Sequence, residues 1–287
     1  MGSFSILNNI AGINAQNQLN LNNVSLNRTL LRMSSGKRIN SGADDAAGLQ
    51  IADSLRANIR AIDQAIRNAN DGIAVAQIAD GALQEMSNLL ARAFTLAEES
   101  ATETVDAMGR TALNQEFTQI EAEIARIANQ TNFNGVALFT AAGLNGDLTV
   151  FVGDISNVST IAVTTPVITA NTTSGSVSNL GGADLTSVDL TTQQGAINSF
   201  AALKAAVDAI AQARGSLGAG MNRLQAAVSV LQTTSQNSQA AESTIRDANM
   251  AEEISSLTRF QILAQSGIAA LAQANQNSQL VLALLRQ

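Results

Sequence analysis

Three adjacent carboxylate pairs, Asp44-Asp45, Glu98-Glu99 and Glu252-Glu253, are the groups in this 287-residue chain whose types could do acid–base chemistry. Such chemistry needs one carboxyl of a pair protonated and the other ionised at the same substrate. Neighbouring residues on a helix point about 100° apart, so the two groups of each pair diverge. Asp44 and Asp45 follow a break bracketed by Gly36 and Gly42. Ser41 or Asp44 is placed to cap the helix that follows, and its N-terminal dipole favours both acids. Helix-start solvation is the better account of that pair, and solvated helix faces account for the two glutamate pairs. Histidine, cysteine, tyrosine and tryptophan are absent. Imidazole catalysis, thiolate nucleophiles, disulfides and the usual zinc ligands are therefore unavailable. The expectation is a protein that is not an enzyme and carries no cofactor or metal.

The remaining residues read as scaffold. Hydrophobic residues make up 46% of the chain, aromatics 3% with Phe alone, and Pro166 is its single proline. Ala, Leu, Ile, Gln and Asn dominate, which suits long helices packed through small side chains. A net charge of −7 argues against a nucleic-acid binder, which needs cations to displace counterions. Arg28, Arg32, Lys37 and Arg38 form a basic patch without acids in the first 43 residues, better read as a solvated or intersubunit face. Met1 to Asn9 has no basic region, and Ile10 to Ala15 is too short and broken for a signal-peptide core. Export would need another route.

From Ile254 to Leu285, apolar and small residues fall on two helical ladders. One runs Ile254, Leu257, Gln261, Ala264, Ile268, Leu271, Asn275, Ser278, Leu282, Leu285; the other runs Phe260, Leu263, Gly267, Ala270, Ala274, Asn277, Val281, Leu284. Together they make a stripe wider than one partner helix covers. Gln, Asn and Ser interrupt it well short of the roughly 20 apolar residues a membrane span needs, so no membrane insertion is expected. The Asn-rich N-terminal segment has helical spacing through Phe4, Ile6, Leu7, Ile10 and Ile13, but an isolated helix there would be marginal. The second ladder of the tail would stay exposed in a monomer, and a head-to-tail contact that does not close gives a helical polymer.

Between these ends, Leu55, Ile59, Ile62, Ile66, Ala69, Ile73, Ala76, Leu83, Leu90 and Phe94 keep three- and four-residue steps, with breaks at Asp80 and Ser87. A second helix spans about 106–130 and ends at the Asn132 to Gly135 turn. Residues 139–195 turn to Thr, Ser, Gly and Val, with strand-like alternation in Leu148 to Val152 and Thr160 to Val163. That stretch reads as a β-hairpin with loops capping a rod. Helix resumes near Gln194 with Phe200, Leu203, Val207, Ile210, Arg214, Leu217, Met221, Leu224, Val228 and Leu231, and the polar run Thr233 to Gln239 separates rod from tail. Gly215, Gly218 and Gly220 each cost helix propensity unless they mark close contact with a neighbouring helix.

The run Arg32 to Ile51, with Gln130-Thr131-Asn132-Phe133-Asn134-Gly135 and Ala248-Asn249-Met250-Ala251-Glu252-Glu253, resembles the bacterial flagellins, subunits of the flagellar filament. The resemblance covers about residues 4–138 and 196–287. It implies a mainly α fold: an elongated rod of long antiparallel coiled-coil-like helices (43–138 and 196–244), paired terminal helices (1–42 and 245–287) and a short β-rich, surface-exposed insert (139–195). It further implies polymerisation into a helical filament for swimming, with Phe4, Ile6, Ile10, Ile13, Ile268, Leu271, Val281, Leu282 and Leu285 as polymer-interface residues. Export unfolded through the flagellar type III apparatus and assembly at the distal tip are implied as well. So are an extracellular location and partners comprising an export chaperone, a filament cap and hook-filament junction proteins.

Toll-like receptor 5 is a further implied partner. Arg92 and Leu96 match the family's receptor-contact positions and Glu116 its acidic contact, while Phe94 and Ile120 stand where strongly recognised members carry Arg. The competing account is that these residues belong to the rod and its lateral contacts. A zinc-peptidase insert, found in some members, needs a His-Glu-x-x-His motif this chain cannot supply. A helical adhesin or a hook-filament junction protein could share much of this helical pattern. The paired, flagellin-like ends joined by long rod helices favour the filament subunit.

Overall fold

The computed structural model describes residues 9–140, 147–153, 159–170, 177–180 and 182–284, the last seven of these by backbone alone. Among them lie five helices, α1 (Ile10–Ser35), α2 (Ala46–Ala101), α3 (Ala107–Gln130), α4 (Gln193–Arg246) and α5 (Met250–Leu284). Six short strands, β1 (Asn132–Phe133), β2 (Val136–Ala137), β3 (Asp147–Phe151), β4 (Thr160–Thr164), β5 (Ile168–Ala170) and β6 (Val177–Leu180), form three antiparallel hairpins. The chain divides into two compact units, Met1–Ala57 with Asn237–Gln287, and Asn58–Gln236. The fold is mainly α with a small strand insert.

In the first unit α1 and α5 pair antiparallel. Asn22 Nδ2 donates to the Phe260 carbonyl at 2.8 Å, and Asn9 Nδ2 donates to the Ala274 carbonyl at 3.1 Å. The Asn9 carboxamide also caps α1, accepting from Gly12 N–H at 2.9 Å. At the other end Gly36 closes α1 with φ of 69°, a left-handed geometry that glycine adopts without the Cβ penalty. The cap of α2 differs from the expected Ser41 or Asp44. It is Asp45, whose Oδ1 accepts from Gly48 N–H at 2.9 Å, because a turn over 41–44 commits Asp44 to Ser41 and Asn40 instead.

In the second unit α2, α3 and α4 pack on one core. On α2 the buried positions run Ala69, Gly72, Ala76, Ala79, Leu83, Met86, Leu90, Ala93, Ala97, an unbroken three–four seam. The expected interruptions do not occur: Ala79 and Met86 carry the seam past Asp80 and Ser87, and Asp80 sits at its edge, accepting from Arg214 Nε at 2.8 Å. On α4 the seam is Leu203, Ala206, Ile210, Ala213, Leu217, Gly220, Leu224. It keeps Leu203, Ile210, Leu217 and Leu224 of the predicted ladder and puts the small residues Ala206, Ala213 and Gly220 where Val207, Arg214 and Met221 were expected. The polar run Thr233 to Gln239 does not end α4. Thr233 and Thr234 hydroxyls bond back to the Ser229 and Val230 carbonyls at 3.0 and 2.9 Å, so they satisfy themselves inside the helix.

The small residues make room for the insert, which lies against the sides of helices. Strands β3 and β4 pair Val150 with Ile161 and Leu148 with Val163. Val150 fills the space beside Gly72 on α2, and Val163 the space beside Gly220 on α4. A second hairpin, β5–β6, is tied to α3 by the buried Glu121 carboxylate, which accepts from Val177 N–H at 2.7 Å. Burial raises the Glu121 pKa; the Val177 hydrogen bond opposes that, and nearby Asp184 adds to it.

The α4 glycines at 215, 218 and 220 therefore separate. A Cβ on Gly220 would stand 2.8 Å from a Val163 methyl, whereas Gly215 and Gly218 have nothing within 4 Å. Gly220→Ala is expected to lower the monomer's stability by about 1–3 kcal/mol, since a stiff β-branched neighbour cannot yield cheaply. Gly215→Ala should raise it by about 0.5–1 kcal/mol through helix propensity. Urea unfolding followed by circular dichroism measures both; equal effects would mean that Val163 does not occupy that space.

Candidate polymer interface

The stretch from Gly36 to Asp45 joins α1 to α2, and Asp247 to Asn249 joins α4 to α5. The two joints are tied by backbone bonds: Arg38 N–H to the Arg246 carbonyl at 2.7 Å, and Ala248 N–H to the Gly36 carbonyl at 3.0 Å. Ion pairs surround this tie. Arg246 reaches Asp53 at 3.2 Å and Arg56 reaches Glu242 at 3.0 Å. Arg32 lies 4.0 Å from Asp44 and 3.6 Å from Glu253, and Arg28 lies 3.8 Å from Asp44. The adjacent acids are thus structural, Asp44 holding a turn and Asp45 a helix start.

Burial opposes ionisation of Asp44, but hydrogen bonds from Ser41 and Asn40 and the charge of Arg32 outweigh it and hold the carboxyl below its ordinary value. A carboxyl depressed in the folded state adds stability that is complete above its unfolded pKa, about 3.9, and lost as pH falls through the lower folded value. Thermal unfolding of the parent and of Asp44→Asn between pH 7 and 3 should show a stability gap that narrows below about pH 4. A gap constant across that range would assign the loss to turn geometry instead of charge.

The α1–α5 seam alternates large apolar groups with small and polar ones. On α1 it runs Gly12, Ala15, Leu19, Asn22, Leu26, Thr29, Met33, with Asn22 and Thr29 among the buried polar residues. Other large apolar residues of α1 lie outside it: Ile10 is 61% exposed, and Ile13, Leu21, Val24 and Leu31 are also exposed. At about 100° per residue these positions fall on the far side from the seam. On α5 the seam takes Leu257, Ala264 and Leu271 from one predicted ladder and Phe260, Gly267 and Ala274 from the other. α1 thus sits between the two ladders, and each ladder leaves its alternate members outside: Ile254 and Ile268 on one flank, Leu263 and Ala270 on the other, with Ile262 opposite.

Of the predicted interface residues, Ile10, Ile13 and Ile268 are exposed, and Leu271 is half-buried in the seam. Val281 and Leu282 belong to the α5 backbone, their side chains not described, and Phe4, Ile6 and Leu285 lie outside the described residues. Sequence reasoning passed over Leu21, Val24, Leu31 and Ile262. Their signal was available: polar Asn22 and Thr29 keep the three–four steps, and the bulky residues stand off them. Leu21, Val24 and Leu31 extend Ile10 and Ile13 into an exposed apolar stripe along α1.

The predicted receptor-contact residues divide. Arg92 Nε donates to Glu116 Oε1 at 2.8 Å, joining α2 to α3 at the surface, with both side chains about half exposed. Leu96 is 0% exposed. Its side chain packs into the core of the second unit, beneath the Arg92–Glu116 pair's helices. Phe94 stacks on Phe200 with ring centroids 5.2 Å apart.

Among the described residues no group of His, Cys, Asp or Glu is arranged to hold a metal ion, and no helix is long and apolar enough to cross a membrane. Residues 6–143 match the bacterial flagellin N-terminal helical region and residues 200–285 the bacterial flagellin C-terminal helical region. A flagellin of Halalkalibacterium halodurans is 40% identical over 281 residues, covering 98% of this chain and 99% of its own. The flagellar filament 33 kDa core protein of Treponema phagedenis is 36% identical over 289 residues, with 98% and 99% covered. A crystal structure of Bacillus cereus flagellin aligns with a TM-score of 0.49 and 24% identity, over 57% of this chain and 88% of that one.

Proposed function

Since the chain belongs to the bacterial flagellin family and is a structural subunit of the flagellar filament, we propose that its subunits are joined through the outward faces of the α1–α5 pair. One observation carries the reading: Ile10, Val24, Leu31, Ile254, Ile262 and Ile268 of that pair face water. Burying about 1,000 Å² of such surface per subunit is worth on the order of 25 kcal/mol before ordering costs. Repeated without closure, the contact makes a helical polymer. Residues 1–42 and 245–287 are the polymerising region, 43–138 and 196–244 the helical rod, and 139–195 the outward insert. The pair lines the inner tube, and its charge-free stretch from Phe260 to Leu285 suits that dry environment.

A weak seam also suits delivery. Terminal segments that gain most of their burial from neighbours stay unfolded until neighbours arrive, which is compatible with export as an unfolded chain, chaperone holding, and addition beneath a cap at the distal end of an extracellular filament. Electron microscopy of purified subunits after induced polymerisation tests the reading. Long uniform filaments are expected; short or no polymers would favour a junction protein or an adhesin.

Recognition by Toll-like receptor 5 is a narrower proposal, supported by the exposed Arg92–Glu116 pair and weakened by the burial of Leu96. A receptor-reporter assay should show a reduced signal for Arg92→Ala, and an equal signal for variant and parent would remove the role.

A further inference from the structure

In the β1–β2 hairpin Phe133 pairs with Val136, which leaves Asn134 and Gly135 as the turn, with φ of 50° and 81°. Two consecutive positive φ values define a type I′ turn, and Asn-Gly suits it because both residues tolerate the left-handed region. Both residues are exposed. Neither the Asn134 carboxamide nor the Gly135 N–H makes a hydrogen bond among the described residues. A Cβ on Gly135 would meet nothing within 4 Å, so the turn is open to solvent. An amide carbon and a backbone nitrogen that can attack it thus stand side by side, both uncommitted.

We propose that Asn134 is a deamidation site whose rate is set by opening of the β1–β2 hairpin. The Gly135 nitrogen gives its proton to solvent base and bonds to Asn134 Cγ; the Cγ–Nδ2 bond breaks, and the departing nitrogen takes up a proton and leaves as ammonia. Water then opens the five-membered imide at one carbonyl or the other, giving aspartate or isoaspartate. Nothing is oxidised or reduced, and water is the sole co-reactant. Glycine favours the attack because no Cβ crowds its nitrogen. The closed turn opposes it: type I′ backbone angles swing the Gly135 nitrogen away from the Asn134 side chain, so ring closure waits for the turn to open. Opening is easy here. Each strand is two residues long, Phe133 and Val136 are each more than a third exposed, and a lone two-stranded hairpin is marginal in water. Both products add a negative charge to the groove that Asn134 lines together with Asp71. Isoaspartate also routes the backbone through the side-chain methylene, one atom too many for a two-residue turn, so the Phe133–Val136 register cannot re-form. The change is permanent for that subunit.

The test uses the whole chain as a soluble subunit, incubated in mildly alkaline buffer, with peptide mass spectrometry and fragmentation to locate the new acid and identify the isoaspartyl form. In the folded chain Asn134 should convert at least roughly tenfold faster than Asn132, which stands in the same hairpin but precedes Phe133. Unfolding in guanidinium chloride should raise the Asn134 rate at least roughly tenfold, because it removes the need for local opening. In the isolated isoaspartyl chain the Leu138 amide, which donates to the Thr131 carbonyl at 3.1 Å, should lose its protection from hydrogen exchange. Asn134→Asp, with the same charge on an ordinary backbone, should keep it. Equal rates at Asn134 and Asn132 in the folded chain overturn the site. Equal Asn134 rates in folded and unfolded chain overturn the gating, and an isoaspartyl chain that keeps Leu138 protected overturns the loss of register. None of these measurements requires polymerisation, so their outcome is independent of the filament reading.

Discussion

A chain lacking residues 268–287 should form no filaments and yet keep its helical core. The deletion removes Ile268 from one flank of α5 and Leu271 and Ala274 from the seam, together with the carbonyl to which Asn9 donates. It leaves the second unit, Asn58–Gln236, whole. If the lost segment contributes about 250 Å² of apolar contact per subunit, some 6 kcal/mol of association energy goes with it, roughly four decades of subunit affinity. Sedimentation and electron microscopy should find only soluble protein at concentrations where the parent pellets. Circular dichroism should retain a cooperative thermal transition, with helix lost from both terminal segments. The N-terminal helix has little to hold it without its partner, since its Asn content is high and an isolated helix of that composition is marginal. Filaments from the truncated chain would show that the tail is dispensable.

Leu96→Ala should destabilise the subunit by about 2–5 kcal/mol, the cost of deleting a fully buried leucine and leaving a cavity. The residue is 0% exposed on the α2 seam, beside Ala93 and Ala97. A surface leucine at a protein–protein contact would cost under about 0.5 kcal/mol in the free monomer. Urea unfolding therefore separates the two roles without a receptor: a near-neutral variant would return Leu96 to the surface. Loss of a receptor signal on substituting Leu96 could reflect lost folding, so Arg92, outside the core, is the cleaner probe of recognition.

The residues that misled and those that informed differ in one physical respect. On α2, α3 and α4 the bulky apolar groups point to the core, so three–four spacing located the helices, and Leu83, Leu90, Ile124, Leu203, Ile210, Leu217 and Leu224 are buried as that spacing requires. On α1 large residues occupy both faces, Leu19, Leu26 and Met33 in the seam and Ile10, Ile13, Leu21, Val24 and Leu31 outside it, so a periodicity of large residues does not single out the seam. Ala206, Ala213 and Gly220 were invisible as seam positions because smallness is a signal only once a hairpin is known to lie there. Thr233 to Gln239 looked like a linker because composition does not reveal that a hydroxyl bonds its own helix. Asp44 and Asp45 were placed correctly at a helix start, but which of them caps depended on the turn over 41–44.

The Asn22 carboxamide in the α1–α5 seam has a consequence beyond the pair itself. Leu19, Leu26 and Met33 recur at heptad steps in the seam, so they do not by themselves keep one helix from sliding along the other by a heptad. Such a slip displaces the pair by about 10 Å, taking Asn22 away from the Phe260 carbonyl and Leu19 away from Gly267, whose missing Cβ leaves it room. Together the two contacts set the phase between the outer stripe of α1 and the two flanks of α5. In a polymer that phase is inherited by every neighbour, so an error of one heptad in one subunit becomes a dislocation in the lattice. The weak seam holds the helices loosely in energy but fixes their alignment, and a growing tube needs the alignment more.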